Sequence, residues 1–204
     1  MGEDMKVNTI EVGSYAVNCS IVASDSGETF VIDPGSEPET IIAALEKTGT
    51  VPSAILLTHA HFDHVSGIAG LQAKWPDLAV FMDLADAPMF GHPFNTNPPE
   101  YPVPPKPANL VSVDELQGPF KVIRTPGHTP GGVCYLLENE GILFAGDTLF
   151  AGSVGRTDLP GGSMPTLMAS LAKLVALPDG IRVIPGHGPE TTIGREKRTN
   201  PYLF

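Results

Sequence analysis

Apolar and polar positions change period several times along the chain. From Val7 to Val12 they alternate, with Val7, Thr9 and Glu11 set against Asn8, Ile10 and Val12, and this period of two predicts a strand. Asn18 to Ala23 and Thr29 to Asp33 are two more β-rich runs. The turn cluster Ser24-Asp25-Ser26-Gly27 between them predicts a hairpin, and Asp33-Pro34-Gly35 ends the second run sharply. Glu39 to Lys47 switches to helical spacing, with Ile41, Ile42, Ala44 and Leu45 at the apolar positions and Gly49 as the stop. Ala54 to Leu57 is a short continuous apolar run, the mark of a strand covered on both faces, and it leads directly into Thr58-His59. A helix is predicted over Val65 to Lys74, closed by Pro76, and a strand over Val80 to Met82.

Phe90 to Asn109 differs in character. Pro93, Pro98, Pro99, Pro102, Pro104, Pro105 and Pro107 leave little room for regular structure there. The stretch reads as a stiff surface connection or as a loop that walls a site. Four strands follow, over Leu110 to Val113, Phe120 to Arg124, Val133 to Leu137 and Ile142 to Ala145. A helix is predicted over Pro165 to Val175, with proline in its tolerated first turn, and a last strand over Arg182 to Ile184. Strands and helices thus interleave in two halves of similar content. No linker divides them, so one α/β domain is expected over residues 1–204.

Composition narrows the class. A chain of 204 residues buries enough surface to fold without disulfide staples. The formal net charge of −11 stays acidic even after two divalent ions are added, which argues against nucleic acid and anionic membrane as partners. No apolar run approaches the ~18 residues that span a bilayer. Met1 to Asn8 is polar and acidic, unlike a signal peptide. Cys19 and Cys134 are widely spaced and lie in apolar runs. They read as buried thiols in a reducing compartment, so the cytoplasm is the expected location.

The candidate chemistry lies in the histidines. Five of the six, His59, His61, His64, His128 and His187, fall at or just beyond the ends of predicted strands, where α/β folds place catalysts. His92, in the proline-rich stretch, is expected not to be a ligand. Thr58-His59-Ala60-His61-Phe62-Asp63-His64 packs three imidazoles and a carboxylate into one loop, and these are good ligands for zinc and similar ions. The i, i+2 spacing lets His59 and His61 point the same way from an extended segment, while Asp63 and His64 can reach a second ion. Zinc sites are usually four-coordinate, so the loop suggests two metals. His128 lies in Thr125-Pro126-Gly127-His128-Thr129-Pro130-Gly131-Gly132. Asp147 ends an apolar strand in Ala145-Gly146-Asp147-Thr148, as a ligand or as a helix cap. His187 follows Pro185-Gly186. A hydroxide held between two cations exists at neutral pH, so no protein nucleophile is required.

The order H-x-H-x-D-H, then a distant His, an Asp and a His, resembles the metallo-β-lactamase superfamily over essentially the whole chain. The resemblance implies a four-layer αββα sandwich. It implies one ion on His59, His61 and His128, a second on Asp63, His64 and His187, Asp147 bridging the two, and Asp33 as a supporting residue. Zinc is the expected metal, with iron or manganese compatible.

Within the superfamily, Gly146 to Asp158, including Gly155-Arg156-Thr157-Asp158, and Gly194 to Tyr202 resemble the compact glyoxalase II-like hydrolases. The Gly-Arg-Thr-Asp piece also resembles persulfide dioxygenases, whose single iron would correspond to His59, His128 and Asp147. The resemblance implies a thioester hydrolase acting on S-(2-hydroxyacyl)glutathione or a similar small molecule, with mononuclear-iron dioxygenation as the alternative. Arg156, and the basic cluster that includes Arg195 and Lys197, are candidate substrate contacts, although the cluster also reads as a solvated helix tail. Only 17 residues follow His187, so the helical C-terminal domain with which full-length glyoxalase II grips glutathione is expected to be absent.

Overall fold

The computed structural model describes residues 4–95 and 103–203. Strands β1 (Met5–Val12), β2 (Val17–Ser24), β3 (Thr29–Ile32), β4 (Ala54–Leu56), β5 (Ala79–Met82) and β6 (Leu110–Ser112) form a sheet in that order. The first three pair antiparallel and the remainder parallel. A second sheet has the order β13-β12-β9-β8-β7. Its strands are β7 (Phe120–Arg124), β8 (Val133–Leu137), β9 (Ile142–Gly146), β12 (Arg182–Pro185) and β13 (Thr191–Thr192). A small hairpin of β10 (Leu149–Phe150) and β11 (Ser153–Val154) stands apart. The helices are α1 (Pro38–Thr48), α2 (Phe62–Val65), α3 (Ile68–Lys74), α4 (Met164–Val175) and α5 (Ile193–Thr199).

The alternation of side chains along the buried strands sorts them into three apolar cores. In β4, Ile55 faces a core shared with Ile41 and Leu45 of α1 and with Leu71 of α3. Ala54 and Leu56 face the other way, into a core between the sheets shared with Tyr135, Leu137 and Phe144. Cys134, Leu136, Leu143 and Ala145 face a third core, closed by Leu167, Leu171 and Leu174 of α4 and Ile193 of α5. Three cores separate four layers, and the architecture is the αββα sandwich that the resemblance implies. No helix among the described residues is long and apolar enough to cross a membrane.

Two elements depart from the sequence reading. The helix expected over Val65 to Lys74 is two helices, broken at Ser66 and Gly67. The Ser66 hydroxyl donates to the Phe62 carbonyl, and the Gly67 N–H leaves the helical pattern to donate to Pro34. The β10–β11 hairpin and β13 are too short to register as a hydrophobic period. In the proline-rich stretch, residues 96–102 lie outside the described residues.

The sandwich gathers the loops that follow β3, β4, β9 and β12 at one edge. The β9–β12 pairing shifts register at Ile184/Pro185; beyond it the Gly186 N–H still donates to the Gly146 carbonyl at 2.8 Å, and His187 forms a bridge to Val17 of the first sheet. The first sheet holds that turn. Asn18 donates its side-chain amide to the carbonyls of Pro185 and Gly188, and its backbone N–H to Gly186.

Candidate metal centre

His59, His61 and His128 each bring one donor atom within 4.8 Å of the others, and so do Asp63, His64 and His187. In the first trio, Nε2 of His128 lies 2.9 Å from Nδ1 of His61. In the second, Nε2 of His187 is 3.3 Å from Nε2 of His64 and 3.4 Å from Oδ2 of Asp63. Asp147 stands between them. Its Oδ2 is 3.5 Å from Nε2 of His128, and its Oδ1 is 3.4 and 3.6 Å from Nε2 of His64 and His187. One carboxylate oxygen therefore faces each trio.

Buried polar atoms left without partners cost free energy. Here Nε2 of His59, Nε2 of His61 and Oδ1 of Asp147 are buried without a hydrogen bond. Two of the three point into the cluster where a cation would satisfy them, so the donor set fits a pair of divalent ions.

The remaining ring nitrogens are oriented from behind. Nδ1 of His128 contacts the Arg156 carbonyl at 2.7 Å, and Nδ1 of His187 contacts the Tyr15 carbonyl at 2.9 Å. A carbonyl can only accept, so each of these rings carries a proton on Nδ1 and presents Nε2 to the cluster. Asp33 holds the first loop. Its Oδ1 accepts the Thr58 N–H at 2.8 Å, and its Oδ2 accepts the Thr58 hydroxyl at 2.6 Å and lies 3.0 Å from Nδ1 of His64. These bonds hold Asp33 at φ 49°, a left-handed conformation that non-glycine residues rarely adopt. Asp33 also lies near His59 and His64, but its oxygens already serve Thr58.

Electrostatics separates the trios. Burial, reinforced by the neighbouring imidazoles, holds His59 well below the ordinary histidine value. Burial and the His128 ring hold His61 down to about 3. Burial opposes charge on His64 as well, but the carboxylates of Asp147, Asp33 and Asp63 outweigh it and raise His64 well above that value. Asp63 and Asp147 raise His187 against its burial in the same way. Burial also works against the charged form of Asp147, yet the imidazoles of His64, His128 and His187 keep its carboxyl far below the carboxylate range.

The family model for the metallo-beta-lactamase superfamily matches residues 12–187, from the end of β1 to the last histidine of the cluster. The chain belongs to this superfamily. It is 37% identical to the hydroxyacylglutathione hydrolase GloC of Haemophilus influenzae, over 98% of both chains. It superposes on the B3 metallo-beta-lactamase BLEG-1 with a TM-score of 0.89 and 35% identity, covering 97% of this chain and 99% of that one. The di-iron-bound form of TTHA1623 gives a TM-score of 0.86 and 41% identity, covering 97% and 100%.

In this superfamily member the cluster opens into a cleft of about 330 Å³, whose further walls are Tyr15, Phe62, Phe94, Asn95, Arg156 and Leu159. Phe94 and Asn95 come from the start of the proline-rich stretch. Arg156 reaches the rim, where its guanidinium makes two 2.7 Å bonds to Asp158. Arg195 and Lys197 do not line this cleft. The Lys197 ammonium is tied to the Leu177 carbonyl at 2.9 Å and to Asp179 at 2.7 Å, so Lys197 fastens α5 to the loop after α4. Two buried polar residues beside the ligand loops, Asp86 and Asn95, belong to no motif, and the sequence reading passes over them. An aspartate in an otherwise apolar Leu-Ala-Asp-Ala-Pro-Met run was the one available signal.

Proposed function

We propose that the chain is a metal-dependent thioester hydrolase resembling glyoxalase II, cleaving S-(2-hydroxyacyl)glutathione or a similar thioester to a 2-hydroxy acid and a free thiol. Two adjacent donor trios with Asp147 between them carry the hydrolytic reading. His59, His61 and His128 would hold one ion, Asp63, His64 and His187 the other, with Asp147 serving both. The substrate class is supported by the similarity to the Haemophilus influenzae hydrolase.

Two such ions, zinc being the expected metal, would supply Lewis acidity toward the substrate carbonyl and acidify a coordinated water. The chain's own residues bind and shield. Tyr15, Phe62, Phe94 and Leu159 offer apolar surface along the scissile group and limit the entry of bulk water. Arg156 places a cation at the rim, moderated by Asp158, where an anionic end of the thiol moiety would lie. Neither cysteine competes as a nucleophile. Both are buried, and burial pushes the Cys134 thiol up to about 11. Two free thiols fit a reducing compartment, and the proposed location is the cytoplasm.

The test is anaerobic cleavage of S-lactoylglutathione by the zinc-loaded protein, read as thiol release. Thiol release without oxygen supports hydrolysis. Cleavage of a β-lactam but of no thioester would overturn the substrate class. Oxygen uptake with glutathione persulfide by the iron form, with no thiol released from any thioester by either form, would replace hydrolysis by dioxygenation.

A further inference from the structure

The segment between β5 and β6 supplies no member of either trio, yet it grips both ligand loops. Asp86 is completely buried and sits in a 3-10 helix, Leu84–Met89, whose N-cap Asp83 also pairs with Arg124 at the end of β7 at 2.8 Å. Oδ2 of Asp86 accepts the Ala60 N–H at 3.2 Å, and Oδ1 accepts the Gly131 N–H at 2.6 Å. Ala60 separates His59 from His61, and Gly131 closes the turn that carries His128. Asn95 is buried alongside. Its Oδ1 accepts the Phe62 N–H at 2.8 Å, and its side-chain amide donates to the Ala60 carbonyl at 2.7 Å.

Consequently both backbone groups of Ala60 are held by side chains, and His61 hangs between anchors on either side of it. The two loops meet at their base through the Val133 N–H and the Thr58 carbonyl, 2.8 Å apart. Beyond that point Asp86 bonds to both. The approach is close: a Cβ on residue 131 would stand 2.7 Å from the Asp86 nitrogen and 2.8 Å from its Cγ, so only glycine fits. A metal site needs its donors held within about 0.5 Å, and loops lacking ladder bonds do not achieve that unaided.

We propose that Asp86, assisted by Asn95, is the positioning residue of the first trio: a buried carboxylate that fixes the His59–His61 loop and the His128 loop at the spacing one ion requires. The inference rests on the metal reading of the site.

The test uses cobalt(II) titration of the metal-free full chain, followed by visible absorption, in two single-trio backgrounds. His187→Ala leaves the first trio and His128→Ala leaves the second. Asp86→Asn keeps the shape but turns an amide toward one of the two N–H groups. It is expected to weaken cobalt binding roughly 10–100-fold in the His187→Ala background, and much less in the His128→Ala background. Asn95→Asp, which loses the donor to Ala60, is expected to act in the same direction and serves if Asp86→Asn does not fold. Glu196→Gln is the control. Glu196 is an equally buried carboxylate that accepts the Gly152 N–H at 2.8 Å and the Thr191 hydroxyl at 2.5 Å, and it bonds to neither ligand loop. It should lower the melting temperature without changing affinity. Equal weakening in both backgrounds, or a loss no larger than the control's, would overturn the proposal while leaving the metal centre intact. A wild-type chain that takes up no cobalt would overturn the metal reading and the clamp with it.

Discussion

His59, His61 and His128 are 2%, 7% and 4% exposed and include no carboxylate, whereas the second trio contains Asp63 and ends on His187, whose side chain is 27% exposed. The first trio is thus a buried set of imidazoles in which burial keeps His59 and His61 neutral. The second is a charge-balanced pair of imidazoles among carboxylates, with His64 and His187 biased toward protonation. A metal requires the neutral imidazole. His59 and His61 are therefore ready to bind as folded, while His64 and His187 must give up protons first. The difference separates what burial contributes to a metal site from what charge contributes.

The largest test breaks the element that the trios share. Asp147→Ala removes a carboxylate that faces both, and takes from His64 and His187 a counter-charge they share, 3.4 and 3.6 Å away. Activity is expected to fall about a thousandfold or more, since a charge contact of several kcal/mol is lost and each ~1.4 kcal/mol is a factor of ten. Metal content and kcat/KM measured together check it. Near-wild-type turnover would show that the trios work independently.

Gly186→Ala separates them. A Cβ there would stand 2.2 Å from Oδ1 of Asp147 and 2.8 Å from Cε1 of His64, and both neighbours belong to the second-trio side. The second ion should be lost, the first retained, and activity reduced roughly 10–100-fold, the scale of disturbing a ligand's support. Metal analysis that finds both ions lost together would mean the pockets do not fill separately.

The electrostatic contrast predicts different pH responses. Below the raised pKa of His64, a proton must leave before an ion can enter the second trio. Its affinity should therefore fall as pH falls from 7 to 5, approaching about tenfold per unit for each proton displaced. His61, held near 3, stays neutral across that window, so the first trio should respond less. The sign for the metal-free fold is the reverse. A raised histidine contributes its stabilisation fully below its unfolded value of about 6.5, and the contribution is lost as pH rises through the raised value. Titrations of His187→Ala and His128→Ala at several pH values read the two slopes, and equal slopes would remove the distinction.

The same contrast explains what could be read from the sequence. Four of the seven candidate ligands lie within His59 to His64, where the chain itself sets their spacing, and that stretch suggests two metals unaided. His128, Asp147 and His187 lie on three separate loops, and only the family resemblance joins them. The layers were legible because β4, β8 and β9 are covered on both faces and read as unbroken apolar runs. Asp86 was not legible. Its partners Ala60 and Gly131 lie 26 and 45 residues away and contribute backbone N–H groups, which every non-proline residue carries, so nothing local marks the contact. The contacts of Lys197 were not legible for a related reason, because its acceptors Leu177 and Asp179 belong to a different loop.

The smallest expected effect falls on His92, the histidine that belongs to neither trio. It is exposed, its ring lies 4.4 Å from that of Phe94, and its Nδ1 accepts the Phe94 N–H at 3.4 Å. It joins none of the donor groups among the described residues. An exposed ring with one long hydrogen bond has little to lose, so His92→Ala should change stability by no more than about 0.5 kcal/mol. Metal content should be unchanged. Phe94 does line the cleft, however, and His92 packs on it, so a modest rise in KM with unchanged kcat would be felt through that ring alone. The pair of readouts is discriminating. A loss of metal comparable to that of His128→Ala would make His92 a ligand, and the division of the site into two trios would then be wrong.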